Sequence, residues 1–273
     1  METEITAIYC LCDDVVTTYS KPDDPQVQMT TAEVMTTALT AALYYGGNIE
    51  RSATFLKEHG YMPNMLGTSR LNRRLHRIED SLWLTLFALI AEVHKHSNTS
   101  NEYIMDSFPI PVCDNIRIRR CKLYQGEDHR GYIPSKRRYF YGLRVTMLVT
   151  VDGNPVEFII SPGRAADGTV VKALEFDVPD MAVIYADKGY TDYGFEDFLA
   201  SVGITLKSLR KKNSKRAVEP YEQFVRQRRR KQVETTFSTV TNLFPKSIHA
   251  VTAKGFELKV ILFIIAFTIS VLS

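Results

Sequence analysis

The chain changes texture around Ser97-Asn98-Thr99-Ser100, and no other feature constrains its fold more. Residues 5–98 read as helical, with a helix start at Thr30 and punctuation at Gly60, Pro63 and Gly67. Beyond residue 100, short runs rich in aromatic and β-branched residues alternate with turn signals and helical segments. The order there is strand, hairpin, helix, strand, helix, strand, helix. That order predicts an α/β fold, a mixed sheet flanked by helices, preceded by a helical N-terminal domain. The expected boundaries are residues 1–100 and 101–273.

Local signals place the elements. Thr30-Thr31-Ala32-Glu33 is a helix start with a hydroxyl cap and an acid three residues on. A short helix over residues 53–59 ends at Gly60, and another follows over residues 69–78. The second helix sets Arg70, Arg73, Arg74 and Arg77 on one side. Two short helices joined by a turn, the second basic, suggest a helix-turn-helix for DNA; a plain helical pair with a solvated basic face is the competing reading. Residues 139–150 and 156–160, with Asp152-Gly153-Asn154-Pro155 between them, predict a β-hairpin. Helices are expected over residues 168–176, 193–202 and 224–243, and a strand over 204–206.

Two carboxylates share one context. Tyr103-Ile104-Met105 is a short apolar run ending at Asp106, and residues 181–185 form another that ends in Ala186-Asp187. In sheets flanked by helices, functional groups collect at the carboxyl ends of strands. Taken singly, each Asp is more simply a cap. Asp167 also reads as a helix cap. Glu234 is the third candidate, beside the apolar stripe Val233, Phe237, Val240 and Phe244, with Arg230 one turn before it. Alone, Glu234 and Arg230 are better read as a surface pair. Together, Asp106, Asp187 and Glu234 suit two divalent ions, Mg²⁺ or Mn²⁺, which stabilise the attacking and leaving oxygens of a phosphoryl displacement.

The segments Ile104-Met105-Asp106-Ser107-Phe108-Pro109, Tyr185-Ala186-Asp187-Lys188-Gly189-Tyr190 and Arg230-x-x-x-Glu234-x-x-Phe237 resemble the three catalytic blocks of bacterial insertion-sequence DDE transposases. Phe244-Pro245-Lys246-Ser247-Ile248-His249-Ala250, Gly255-Phe256-Glu257 and Ser69-Arg70-Leu71-Asn72-Arg73-Arg74-Leu75 are similar to these elements too, so the resemblance covers roughly residues 65–273. It implies an RNase H-like catalytic domain, metal ligands at Asp106, Asp187 and Glu234, cleavage at transposon ends and strand transfer to target DNA. It also implies DNA as partner, bound by a homodimer. Some of these enzymes carry a Tyr, Arg, Glu, Lys series on the last helix. Here Gln227 stands in place of the Tyr and Thr241 in place of the Lys, so the hairpin-forming chemistry tied to that series is not implied. Two other readings stay open: a metal-dependent nuclease without strand transfer, and a DNA-binding protein that has lost catalysis.

Charge distribution supports a DNA partner more than net charge does. The formal charge is only +3, but ten Lys or Arg and two acids lie between Arg210 and Lys231, including Lys211, Lys212, Lys215 and Arg230. Lys136, Arg137 and Arg138 precede Tyr139, Phe140 and Tyr141, a mixture of bases for phosphate and rings for exposed nucleobases. An edge strand with a solvated basic face explains the same residues. Cys10, Cys12, Cys113 and Cys121 contain no Cys-x-x-Cys pair, which favours a reduced, intracellular setting, and the resemblance implies a cytoplasmic place beside the nucleoid. A zinc site from Cys113, Cys121 and His129 matches no familiar spacing. Residues 260–272 form an apolar run of 13, short of the ~20 a bilayer span needs, so a core helix of the catalytic domain is expected and no membrane role.

Overall fold

In the computed structural model, described for residues 2–133, 136–211 and 213–272, the chain forms two compact units. The side chains of Asn115, Gln232, Val233 and Glu234 also lie outside the description. One unit contains residues 1–90 and 242–273, the other residues 91–241. This differs from the expected division at residue 100, because the last helix groups with the first 90 residues.

The first unit is helical: α1 (Glu2–Tyr19), α2 (Thr31–Tyr44), α3 (Ile49–Glu58), α4 (Thr68–Leu75), most of α5 (Asp80–Ser97) and α9 (Ala253–Ser270). The expected start of α2 is a full capping box. Thr30 Oγ1 accepts from the Glu33 amide at 3.1 Å, and the Thr30 amide donates to Glu33 Oε2 at 2.6 Å. Asn48 caps α3 through the Arg51 amide, 3.0 Å away. Helix α9 is apolar on every side, and nearly all of its residues from Leu258 to Ile269 are buried, partly against α2. That explains its place: it fills the middle of a helical unit. No described helix is long and apolar enough to cross a membrane.

The second unit is built on a six-stranded mixed sheet flanked by helices. Its strands are β1 (Glu102–Asp114), β2 (Arg130–Ile133), β3 (Arg138–Thr150), β4 (Pro155–Pro162), β5 (Val183–Ala186) and β6 (Thr205–Ser208). The order is β2-β3-β1-β5-β6, and β4 also pairs with β3. Strands β1 and β3 are antiparallel, while β5 runs parallel to both β1 and β6. The predicted β3–β4 hairpin turns at Gly153, whose φ of 91° suits glycine. A Cβ on Gly153 would also collide with Thr236 of α8 (Pro220–Leu243). That close approach, with the Phe108 and Phe237 rings tilted against each other at 5.6 Å between centroids, seats α8 on the sheet. Helix α7 (Tyr193–Ser201) is capped by Asp192. The helix expected over residues 168–176 is shorter, α6 (Asp167–Val170) followed by one 3-10 turn.

Candidate active site

Strands β1 and β5 place the two aspartates. Their parallel register ends at Met105 opposite Ala186, so Asp106 and Asp187 are the next residues along neighbouring strands. Strand β5 stops there, whereas β1 continues to Asp114 against β3, with Asp106 opposite Met147. Asp106 is therefore mid-strand, not at a strand end as expected, yet it sits at the carboxyl end of the parallel pairing.

Helix α8 lies against the face of the sheet that carries Glu102 and Asp106. Arg229 Nη2 lies 2.5 Å from Glu102 Oε2, and Glu102 also accepts from the Tyr185 hydroxyl at 2.9 Å. The next residue, Arg230, approaches both aspartates: Nη2 is 3.9 Å from Asp106 Oδ2, and Nε is 3.8 Å from Asp187 Oδ1. One guanidinium thus faces two carboxylates without forming a tight fork with either. Glu234 belongs to α8 one turn further on, but its side chain lies outside the described residues. Among the described residues, no group of three His, Cys, Asp or Glu side chains could hold a metal ion.

The electrostatics of Asp106 show what this arrangement costs. Burial pushes its carboxyl up to about 6, and nearby Asp187 and Asp167 push the same way. The Ser107 amide, 2.8 Å from Asp106 Oδ1, and Arg230 only partly offset this. Asp167 is a neighbour that spacing alone placed only as a helix cap. Its Oδ1 accepts from Arg144 at 3.0 Å and from the Ser107 hydroxyl at 3.3 Å. Tyr190, 1% exposed, is raised by burial and then by Asp167. The site is a partly desolvated cluster of acids short of positive charge.

Residues 96–249, more than half of the chain, match the family described as Transposase DDE domain. The chain belongs to that family. A search of curated proteins gave no match. Among solved structures, the fold is similar to a piggyBac transposase synaptic complex with hairpin DNA, determined by cryo-EM. The TM-score is 0.50 with 11% identity, over 98% of this chain and 71% of that one.

For a member of this family, the placement of the basic residues matters next. Arg70, Arg73, Arg74 and Arg77 line one cavity with Val27 and Leu66. Arg74 is committed within the protein, donating to the Met29 carbonyl at 2.7 Å and to Asp23 at 3.1 Å. Much of the stretch from Arg210 to Lys231 is committed too. Arg210 pairs with Glu196 at 2.6 Å, Arg216 with Asp197 at 2.7 Å and Arg226 with Glu222 at 2.7 Å. Arg226 is 7% exposed and also donates to the Ser208 carbonyl at 2.7 Å. Lys211, Lys215, Arg228 and Lys231 are exposed, while Lys212 lies outside the described residues. Lys136, Arg137 and Arg138 are exposed at the start of β3, with Arg138 3.3 Å from Asp114.

Proposed function

We propose that this chain is the transposase of an insertion sequence, with Asp106, Asp187 and Glu234 as its catalytic carboxylates. The observation that carries the reading is the convergence of Asp106 and Asp187 on Arg230, one helical turn before Glu234 on α8. The sheet reads as RNase H-like, with β4, β3 and β1 antiparallel and β5 and β6 parallel to β1. Its antiparallel half stiffens β1 on one side of Asp106, and β5 fixes the other.

The donor set fits a divalent metal. Carboxylate oxygens are hard ligands of the kind Mg²⁺ and Mn²⁺ take. Asp106 is held up to about 6 by burial and acidic neighbours, an environment that a cation relieves. Two ions held there would supply charge stabilisation at the attacking and leaving oxygens of a phosphodiester. Asp106 and Asp187 orient the site from the sheet, and Glu234 would close it from the helix. Arg230 offsets part of the acid charge of the two aspartates. Arg144 and Ser107 fix Asp167, so this third acid deepens the negative field without moving. Exposed cations, Lys211 and Lys215 in the linker to α8 and Arg70 and Arg73 on α4, suit the phosphate backbone of transposon ends and target DNA. A homodimer would bring two ends together.

The test is a strand-transfer assay with a labelled 3′-end and Mg²⁺. Joining of that end to target DNA supports transposition. Hydrolysis without joining would reduce the reading to a nuclease.

A further inference from the structure

Between Asp114 and Arg138 the chain leaves the sheet and returns, and this excursion carries eight Lys or Arg against three acids. Arg130 and Arg138 are ion-paired, with Glu127 and Asp114. Arg117, Arg119, Arg120, Lys122, Lys136 and Arg137 are exposed and without an ion pair among the described residues. The excursion ends in the short hairpin of β2 and β3, where Tyr132 lies directly opposite Tyr139. Gly131, Ile133 and Phe140 point inward and are buried, so the two tyrosines share the outer face. Their ring centroids are 4.9 Å apart with the rings tilted by 50°, and the two residues remain 41% and 47% exposed. The Arg130 guanidinium lies over one face of the Tyr139 ring, 4.4 Å from its centroid, and adds a planar cation to this aromatic pair.

From this geometry we infer that the β2–β3 hairpin is a stacking platform for an unpaired DNA strand flanking the cut site. The inference rests on the DNA reading above and narrows its substrate. Phosphate binding alone uses the bases and leaves the tyrosines idle. A closed duplex hides the faces of its nucleobases, whereas an unpaired strand offers both ring faces for stacking and phosphates for the surrounding cations. The platform is remote from the chemistry. Asp114, where β1 meets the hairpin, is eight residues beyond Asp106, roughly 25 Å at about 3.3 Å per residue. The strand held here is therefore flanking DNA and not the scissile phosphate.

The test uses the full chain and two labelled DNAs of the same sequence, one fully duplex and one with an unpaired tail carrying 2-aminopurine. Wild-type protein should quench the tail and bind tailed DNA more tightly than duplex. Tyr132→Leu with Tyr139→Leu should weaken tailed binding by about tenfold or more, abolish quenching and spare duplex binding. Tyr132→Phe with Tyr139→Phe should keep both quenching and affinity, which separates stacking from loss of fold. Equal losses on both DNAs, no loss on either, or an unquenched tail beside intact duplex binding would each overturn the platform alone. Failure of the wild-type protein to bind either DNA would overturn it together with the DNA reading.

Discussion

Asp106 and Asp187 each lie one residue past the last register pair of two adjacent parallel strands, Met105 opposite Ala186. Backbone pairing, not side-chain choice, brings them to the same edge of the sheet. Their separation in sequence is large, yet each is specified locally by the short apolar run before it.

The third acid of the cluster has a structural role that can be measured. Asp167 accepts from Arg144, whose side chain is 20% exposed. Asp167→Ala leaves this guanidinium without its carboxylate and should cost about 1–2 kcal/mol in urea unfolding. An unchanged midpoint would place the pair among ornamental surface contacts.

The basic stretch before and within α8 should split into two classes. Lys211→Ala with Lys215→Ala should weaken DNA binding similarly for all sequences, without changing stability. Its salt dependence should flatten by about one unit of slope for each phosphate left unneutralised. Arg226→Ala should instead destabilise the protein by about 2–3 kcal/mol, because a buried guanidinium holds Glu222 and the Ser208 carbonyl. Thermal melts beside salt titrations separate the two classes. A stable Arg226→Ala protein with a reduced salt slope would reverse the assignment.

Much of this was legible in the chain. The capping box at Thr30, the hairpin at Gly153 and the two Asp-terminated runs are local, so sequence specifies them. Non-local effects were hidden. Strand β1 runs on through Pro109 and Pro111 because β3 pairs with it, a partner more than thirty residues away. Strand β2 is only four residues long, with a glycine where a Cβ would collide with Phe140. Asp167 joins the acids through Ser107 and Arg144, invisible to a reading by spacing. The ten cations from Arg210 to Lys231 looked uniform, yet tertiary partners consume several of them. Helix α9 was recognisable as core, but it groups with the first unit and not with the catalytic domain expected for it, since its apolar surface names no partner.

That last point gives a further prediction. Ending the chain after Lys259 removes Val260, Leu262, Phe263, Ile264 and Ile265, all buried, at about 1.5–3 kcal/mol each. Loss of hydrogen-exchange protection should be greatest in α2, which packs on α9. Protection lost first in β1 and β3 would show that α9 supports the sheet instead.

The most direct test is cleavage of labelled DNA in Mg²⁺ by Asp106→Asn and by Glu234→Gln, each beside a binding assay on the same DNA. Both substitutions keep shape and remove one negative charge. If these carboxylates hold the catalytic metals, cleavage should fall by at least about a hundredfold while affinity stays within about twofold, because removing an anion takes no cation away from the phosphates. Near-normal cleavage by Glu234→Gln would return Glu234 to a surface pair with Arg230 and contradict the three-carboxylate site.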